Sequence, residues 1–398
     1  MGITRPEARL LDLTRLVSRA GRPMTGVDRV EFAYLRQLLE EGPLYGLVRS
    51  SLGFVLLDAA GCAQLRDRLT HGGWGPPDRL SRIKRGLDPT RARAEADLRR
   101  ICRDRCLPIG LSRMLRRHLP QGVHYINTGH TNLTDRVLSA LTGVGARIAV
   151  LIHDTIPLDA PEYQRPETAL RFRRFLTRAA GRADLLICNS YQTQADITRH
   201  LGAGRVPPCV VAHLGIDPPV PGVAPRGPWQ GAPYFVTLGT IEPRKNHAFL
   251  LDLWPEVAPA HLLICGSRGW RNEAVFERLD ARPERVHELP GLPDSEIAAL
   301  MQGANGVLFP SLAEGYGLPP IEAAALGVPV VCNDLSIYRE ILEDIPIYAP
   351  VTDRYLWATT ISMLAKDDRA AQSASADRIR EFAPPTWEAH FKTVLNLI

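Results

Sequence analysis

The stretch that decides the fold is "SLAEGYGLPPIEAAALGVPVV", residues 311–331. It follows a short apolar run typical of a buried strand, and it continues into an alanine-rich segment, 319–327, that predicts a helix. Two carboxylates, Glu314 and Glu322, stand on either side of two glycines and two prolines. A glycine loop between a strand and a helix is a common ligand-binding turn of α/β proteins, so the stretch predicts a binding site at one edge of a sheet.

The loop and the helix start suit an anion. Gly315 and Gly317 allow the backbone to approach a ligand closely. The two prolines after Gly317 fit the first helical positions, where a missing N–H costs nothing. The free N–H groups and the helix dipole favour negative charge, and a diphosphate is the natural occupant. Glu322 then suits the hydroxyls of a ribose and Glu314 those of a sugar, although an ordinary strand–helix connection explains the same residues.

A second stretch has the same organisation. "LGTIEPRKNH", residues 238–247, also follows a strand and opens a helix, and it carries Arg244 and Lys245 at the turn. Two cations at the same sheet edge as the loop in 311–331 would complete a clamp on a diphosphate. The competing interpretation is a solvated basic helix start.

Strand and helix patterns alternate twice along the chain, on either side of a segment with six prolines. This order predicts an α/β protein with two doubly wound, Rossmann-like domains that face each other across a cleft. The predicted units are an N-terminal domain at 1–215, a Pro- and Gly-rich linker without packed elements at 216–233, a C-terminal domain at 234–384, and a helix at 385–398 that returns to the first domain.

Two segments of the first domain carry local predictions. Residues 8–17 have the pattern of a buried strand running into a loop, and residues 62–118 that of helical or irregular chain.

The composition is that of a globular protein, with 45% hydrophobic and 23% charged residues in 398. No apolar run reaches the roughly 20 residues of a membrane helix, and the start lacks a signal-peptide pattern, so we expect a cytoplasmic protein. Residues 78–118 hold 13 Lys or Arg against 5 Asp or Glu. This excess fits a peripheral contact with an anionic membrane or a solvated Arg-rich insert. Nucleic acid is not an expected partner, because no nucleic-acid-binding module is recognisable.

The chain resembles the retaining family 4 glycosyltransferases. Glu314 and Glu322 reproduce the E-x7-E motif of that family, and "GTIEPRKNH" resembles its lysine-containing loop. "CGSRGW" and "LPGLPDSEI" follow in the order of the family. "TGVDRVEFAYLRQLL" is similar to its first loop and helix, and "HDTIPLDAPEY" to the H-D-x-x-P segment of mannosyl- and rhamnosyltransferase-like members. The resemblance covers nearly the whole chain and is most specific in 234–342.

This resemblance implies a GT-B fold in which the C-terminal domain binds the nucleotide-sugar and the N-terminal domain binds the acceptor. Arg244 and Lys245 would neutralise the diphosphate, Glu322 would bind the ribose, and Glu314 would hold the donor sugar. His153, at a strand end of the other domain, would contact the donor sugar or lie beside the reacting carbon, and a strand-end His that caps a loop is the alternative interpretation. The further implied donor-binding residues are Gly239, Thr240, Gly291, Leu292, Gly315, Tyr316, Gly317 and Leu318.

Polar strand ends and the first loop suggest an acceptor side, which we expect to include Thr25, Gly26, Asn127, Asp154 and Ser190. The family usually has more glycine in that first loop than the single Gly26 of this chain. No D-x-D motif is placed to hold a metal, so we expect a metal-independent reaction without a cofactor.

The predicted function is therefore a retaining hexosyltransferase that moves a hexose or deoxyhexose from a nucleotide-sugar to a saccharide or lipid-linked saccharide, in the synthesis of a cell-surface polysaccharide. The likeness to mannosyltransferases favours GDP-mannose, with UDP- and dTDP-sugars open. Two alternatives remain, a nucleotide-sugar epimerase on the same fold and an inactive scaffold that binds a nucleotide-sugar or a glycan.

Overall fold

The computed structural model of the chain describes residues 7–84, 86–202, 204, 206–366 and 382–398. It contains two α/β domains, each built on a largely parallel sheet. The first sheet has eight strands in the order β4-β3-β2-β1-β5-β6-β7-β8, and only β3 runs antiparallel to its two neighbours. Its strands are β1 Arg9–Asp12, β2 Leu44–Arg49, β3 Phe54–Leu57, β4 Asp104–Cys106, β5 His124–Asn127, β6 Arg147–Ile152, β7 Leu185–Cys188 and β8 Cys209–Val211.

The second sheet has six parallel strands in the order β11-β10-β9-β12-β13-β14. They are β9 Tyr234–Leu238, β10 His261–Cys265, β11 Val286–Glu288, β12 Gly306–Phe309, β13 Val330–Cys332 and β14 Ile347–Tyr348. The central strands are buried along their length, which explains why they appear in the sequence as continuous apolar runs.

Helices connect the strands of both sheets. In the first domain they are α1 Thr14–Ser18, α2 Gly26–Glu40, α3 Ala59–His71, α4 Pro89–Ile101, α5 Leu111–His118, α6 Asp135–Thr142, α7 Ile156–Asp159, α8 Thr168–Arg182 and α9 Tyr191–Leu201. In the second domain they are α10 His247–Leu253, α11 Glu273–Asp280, α12 Asp294–Gln302, α13 Leu318–Ala325, α14 Ser336–Leu342 and α15 Arg354–Ala365, and α16 Trp387–Leu395 follows.

Strand order reverses once in each sheet, and this places the ligand-binding edge. In the second sheet the reversal falls between β9 and β12, because β10 lies on one side of β9 and β12 on the other. The two stretches singled out above leave the sheet from the carboxyl ends of these two strands. Parallel sheets bind ligands at this position, so the topology brings both predicted loops to one crevice.

The structure corrects two local predictions. The strand predicted at 8–17 ends at Asp12, and α1 begins where a loop was expected, after the Asp12 carboxylate accepts a hydrogen bond from the Thr14 N–H at 3.1 Å. The segment 62–118 contains a strand, β4, which pairs antiparallel with β3. Three residues are too few for a period of two to be visible in the sequence.

The linker has no helix or strand longer than a turn, but it is packed. Trp229 is buried, with its ring centroid 5.0 Å from that of His287, and the Gly222 N–H donates to the Ser295 carbonyl at 2.8 Å. The expectation of an unpacked segment is therefore wrong for this part, because an aromatic side chain contributes burial that proline content does not reveal.

The chain returns to the first domain after α15. Helix α16 packs on α2, where His390 Nε2 lies 2.9 Å from the Tyr34 hydroxyl and the rings of Tyr34 and Phe391 meet edge to face. A Cβ atom placed on Gly215 would lie 2.1 Å from the Trp387 nitrogen, so this crossing requires a glycine. Among the described residues, no helix combines the length and apolarity that crossing a bilayer requires.

Candidate active site

The two domains meet where α2 of the first faces α13 of the second. A Cβ atom placed on Gly26 would lie 3.4 Å from Cδ1 of Leu318. One placed on Gly315 would lie 2.6 Å from Oδ2 of Asp154, closer than a Cβ atom can approach an oxygen without displacing it. The loop that carries Thr25 and Gly26, the H-D segment and the E-x7-E loop are thus neighbours across the cleft, although they are far apart in the sequence.

Arg244, Lys245 and Glu314 form one cluster at the carboxyl ends of β9 and β12. Glu314 Oε1 lies 2.5 Å from Lys245 Nζ, and Glu314 Oε2 lies 2.8 Å from a terminal nitrogen of Arg244. Glu242 holds the other side of Arg244, with 2.5 Å between Oε1 and Nε. Burial alone would raise the pKa of Glu314, but the two cations outweigh it and bring the pKa down to about 2. The carboxylate is therefore ionised at neutral pH and holds both cations.

The backbone of the loop at residues 238–247 explains why the two cationic side chains converge on Glu314. Residues 243–245 form a single 3-10 turn, and Asn246, in the left-handed region, ends it before α10 begins. The Leu312 N–H donates to the Arg244 carbonyl at 2.7 Å and joins this loop to the E-x7-E loop. Gly239 has a φ of 125°, and a Cβ atom there would lie 3.1 Å from Lys245 Cε. The cations thus precede a short helix instead of lying beside the start of a long one.

The E-x7-E loop, which leads from β12 to α13, is fixed by its glycines and by an aromatic side chain. Gly317, with a φ of 100°, precedes α13, and a Cβ atom there would lie 2.8 Å from the ring of Tyr338. The Tyr316 side chain is buried, and its hydroxyl donates to the carbonyl of Leu214, in the first domain, at 2.8 Å. The predicted donor contacts of this loop thus rest on its backbone and on Leu318.

Glu322 lies on α13, buried, and its partner comes from the other domain. A terminal nitrogen of Arg29, on α2, lies 2.5 Å from Glu322 Oε1. Burial raises the pKa of Glu322, and the Arg29 guanidinium opposes this only in part. The predicted ribose-binding carboxylate is therefore already paired across the cleft.

The segment expected to approach the base lies beside this pair. Gly291 is exposed with a φ of 72°, and Leu292 packs against the edge of the core. Asp294, the first residue of α12, has Oδ2 3.4 Å from Arg29. This segment therefore borders the Glu322 end of the cleft. Thr240 lies in the loop at 238–247 instead, where a Cβ atom placed on Gly269 would lie 2.6 Å from its methyl group.

His153 follows β6 and is buried. Its Nε2 lies 2.7 Å from the Thr128 carbonyl, and its ring centroid is 4.9 Å from that of His130. Burial lowers the pKa of His153 to about 4, although the bond to Thr128 opposes the shift. The ring is therefore neutral at physiological pH. Its contact with the Thr128 carbonyl is the one expected of a histidine that caps a loop.

Asp154, the next residue, contacts the second domain. Its Oδ1 accepts from the Ile156 N–H at 3.1 Å, and its Oδ2 faces Gly315. Burial raises the pKa of Asp154 to about 6, while Arg244 pulls it down. A carboxyl group that changes charge near pH 6 in a cleft is suited to proton transfer.

Two residues of the expected acceptor side are not at the cleft surface. Asn127 is fully buried, and its amide donates to the Tyr125 hydroxyl and the Thr131 carbonyl. Ser190 is fully buried as the N-cap of α9, where its hydroxyl accepts from the Thr193 N–H. The Asn127 amide nitrogen and the Ser190 hydroxyl thus satisfy backbone groups near strand ends, which is the common alternative for such residues. Thr25 forms a capping box with Asp28 at the start of α2, and it remains exposed beside Gly26.

Three residues that the sequence did not single out join the domains at the site. Arg29 pairs with Glu322, as described. Asn189 Nδ2 donates to the His153 carbonyl at 2.7 Å and to the Gly315 carbonyl at 3.3 Å. Asn189 directly follows a buried strand, a position typical of binding residues, but many residues with purely structural roles share it.

Glu340, on α14, is the third. It accepts from the N–H groups of Tyr191 and Gln192 at the start of α9, at 2.7 and 2.9 Å, and from His213 Nε2 at 2.9 Å. A cavity of about 720 Å³ opens beside it, between α14, β8 and α16, and none of the predicted site residues lines it. No pattern in the sequence points to this contact.

The comparisons with known proteins find similarity to glycosyltransferases. Residues 225–374 match the model of the family described as glycosyl transferases group 1. The serotype-specific mannosyltransferase WbdA of Escherichia coli is 31% identical over 230 residues, which are 52% of this chain and 28% of that protein. The O-antigen chain mannosyltransferase B of Escherichia coli is 26% identical over 265 residues, 61% of this chain and 67% of that protein. The chain thus aligns with less than a third of the length of WbdA.

Solved structures share the whole architecture. The Anabaena Alr3699/HepE protein in complex with UDP-glucose superposes with a TM-score of 0.65 over 98% of this chain and 97% of that one, at 14% identity. The sucrose-phosphate synthase of Thermosynechococcus elongatus gives 0.65 over 98% and 96%, also at 14% identity. The predicted fold, two facing α/β domains of the GT-B type, is confirmed, and so is the resemblance to family 4 glycosyltransferases.

Proposed function

We propose that this chain, whose second domain is a glycosyl transferases group 1 domain on a GT-B fold, transfers a hexose from a nucleotide-sugar to a saccharide acceptor in polysaccharide synthesis. The observation that carries the proposal is the cluster of Arg244, Lys245 and Glu314 at the strand-order reversal of the second sheet. Two cations at this position suit a diphosphate, and a buried carboxylate beside them suits sugar hydroxyls.

The chemistry follows from where charge develops. As the bond from the anomeric carbon to the diphosphate breaks, negative charge grows on the phosphate, and Arg244 and Lys245 stabilise it. The contacts of Asp154 and Asn189 with Gly315 close the site around the donor, which orients the acceptor and excludes water. Retention of the anomeric configuration, attack on the same face as the leaving group and independence of a metal are parts of this proposal.

We favour a mannosyl donor carried by GDP. The relatives WbdA and O-antigen chain mannosyltransferase B are named mannosyltransferases, and the H-D-x-x-P segment also resembles such members. UDP- and dTDP-sugars are the competing donors, since Alr3699/HepE was solved with UDP-glucose. The proposed acceptor is a saccharide or a lipid-linked saccharide on the cytoplasmic face of the membrane.

For the membrane contact we propose a narrower surface than 78–118. Some of the basic side chains there are already ion-paired within the segment, as Arg99 with Asp78 at 2.7 Å and Arg100 with Asp97 at 2.5 Å. The turn before α5 instead exposes two large apolar side chains, Leu107 at 67% and Ile109 at 92%.

Helix α5 follows this turn directly and presents basic side chains to solvent. Arg113 and Arg116 are exposed, and neither forms an ion pair with another described residue. An apolar tip flanked by free arginines suits the interface of an anionic bilayer, where each basic residue contributes about 1 kcal/mol.

Co-sedimentation with phosphatidylcholine vesicles, with and without phosphatidylglycerol, tests this contact. Binding should require phosphatidylglycerol and should fall about tenfold or more in the variant Ile109→Ser, Arg113→Glu, Arg116→Glu. Arg173→Glu with Arg174→Glu, two exposed positions on α8, is a control for the reversed charges. Equal loss in both variants, or no binding of the native chain, would contradict the proposed surface.

The activity is tested in two steps. Thermal stabilisation by GDP, UDP, dTDP and ADP identifies the preferred base, because a bound ligand raises the unfolding temperature. The matching nucleotide-sugar is then supplied with mannoside acceptors, and released nucleoside diphosphate and the anomeric configuration of the product are measured. Acceptor-dependent release with retention supports the proposal. An epimerised sugar without acceptor indicates the epimerase, binding without turnover the inactive scaffold, and no stabilisation by any nucleotide contradicts the proposal.

A further inference from the structure

The ion pair between Arg29 and Glu322 is the direct contact between the first domain and the predicted ribose site. It joins residues 293 positions apart, at a separation of 2.5 Å between a terminal guanidinium nitrogen and Oε1. It lies at the seam where the first turns of α2 and α13 approach, next to Gly26 and Leu318. A movement of either side chain of this pair therefore changes a contact between the two domains.

The pair and a bound ribose need the same atoms. A carboxylate that binds the two neighbouring hydroxyls of a ribose uses both of its oxygens, and Arg29 already donates to one oxygen of Glu322. Since the Glu322 side chain is only 10% exposed, there is little room for a second ligand beside the guanidinium.

A second carboxylate is within reach of Arg29. Asp294 Oδ2 lies 3.4 Å from the other terminal nitrogen of the same guanidinium, on an exposed side chain at the start of α12. Arg29 can therefore leave Glu322 by a small movement and keep a partner.

We infer that Arg29 occupies the ribose position in the ligand-free chain and that the donor displaces it from Glu322 towards Asp294. Arg29 is then a positioning residue that lowers donor affinity and couples donor binding to the contact between the domains. The inference rests on the proposed function, since it takes Glu322 as the ribose-binding carboxylate.

The affinity of the preferred nucleoside diphosphate, measured by calorimetry, tests the inference. Arg29→Ala should tighten binding about fivefold, the size expected for a partly exposed ion pair. Arg29→Lys keeps a cation and should stay near the native value. Arg36→Ala is a matched control, because Arg36 lies on the same helix and pairs with Asp217 at 3.1 Å, away from Glu322.

A double-mutant cycle separates competition from general loosening. In a Glu322→Gln background the native ribose contact is already lost, so Arg29→Ala should no longer tighten binding. Weaker binding in Arg29→Ala, as in Glu322→Ala, would show instead that Arg29 contacts the donor, and an unchanged affinity would show that the ion pair does not compete with the donor. Both results overturn the inference while leaving nucleotide binding intact, whereas a chain that binds no nucleotide contradicts the proposed function itself.

Discussion

Glu314 holds Lys245 at 2.5 Å in a buried ion pair that also includes Arg244. Replacing Glu314 by Gln keeps the shape of the side chain but leaves Lys245 without its directly paired carboxylate and Arg244 with Glu242 alone. A pKa lowered from its ordinary value of 4.5 to about 2 corresponds to about 3 kcal/mol of stability at neutral pH. We expect Glu314→Gln to lose about this free energy of unfolding in urea at pH 7.

The pH dependence of that loss has a defined sign. The pKa of Glu314 is lowered in the folded chain, so its contribution is present above pH 4.5 and is lost as the pH falls towards 2. The gap between the native chain and Glu314→Gln should therefore narrow below pH 4.5. Glu284→Gln, at an exposed carboxylate, is the control and should change stability little. A gap that is the same at pH 7 and pH 3.5 would be inconsistent with the ion pair as its source.

Gly315→Ala should impair transfer more than it impairs folding. A Cβ atom at this position would lie 2.6 Å from Asp154 Oδ2, so the two domains must separate slightly or Asp154 must move. Displacements of this size in a reacting site cost roughly tenfold to a hundredfold in kcat/KM. Gly181→Ala, at a helical glycine with open space around it, is the control. Full activity in Gly315→Ala would show that this contact does not shape the site.

Asp154→Asn should lower kcat about a hundredfold with little effect on nucleotide affinity, if Asp154 handles the acceptor proton. Because the pKa of Asp154 is raised to about 6 by burial, activity of the native chain should rise with pH through 6. Arg244, Glu314 and Asp159 are the charged groups that bear on this value. The same rise in the Asn variant would assign the titration to another group.

The stability effect of Asp154→Asn has the opposite sign to that of Glu314→Gln. A raised carboxyl pKa stabilises the fold at low pH, and this contribution is lost as the pH rises through 6. The Asn variant should therefore be at least as stable as the native chain at pH 7. A marked loss of stability at that pH would mean that the ionised carboxylate supports the fold.

Glu340→Ala should loosen the contact between the domains. The carboxylate caps the start of α9 from the other domain, and losing a cap of this kind costs about 1 kcal/mol. We expect a larger radius of gyration in small-angle X-ray scattering without nucleotide. Asp344→Ala, at an exposed position shortly after the same helix, should leave the radius unchanged. An unchanged radius in Glu340→Ala as well would show that other contacts suffice.

Local patterns were enough to predict two α/β domains and the positions of the two loops at the edge of the second sheet. Apolar strands, the helical period after Gly317 and the two prolines are short-range signals, and α13 begins at Leu318, one residue before the predicted start. The facing of the loops follows from topology, because parallel strands end at the same sheet edge.

The partners of the site residues were beyond such reasoning. The contact of Arg29 with Glu322 spans 293 positions, and that of Glu340 with Tyr191 spans 149. A charged residue on an amphipathic helix gives no sign of whether it meets water or another domain. Asn127 and Ser190 show the converse, since a polar side chain at a strand end can serve the cleft or the backbone, and only packing decides.

The most direct test of the central claim is calorimetric binding of a nucleoside diphosphate and the corresponding monophosphate to the native chain and to Lys245→Met, which keeps the length of the side chain. If Arg244 and Lys245 clamp the diphosphate, the native chain binds the diphosphate at least tenfold more tightly, and Lys245→Met loses most of that preference while its monophosphate affinity changes little. Equal affinity of the native chain for both nucleotides, or an unchanged preference in Lys245→Met, would contradict the clamp.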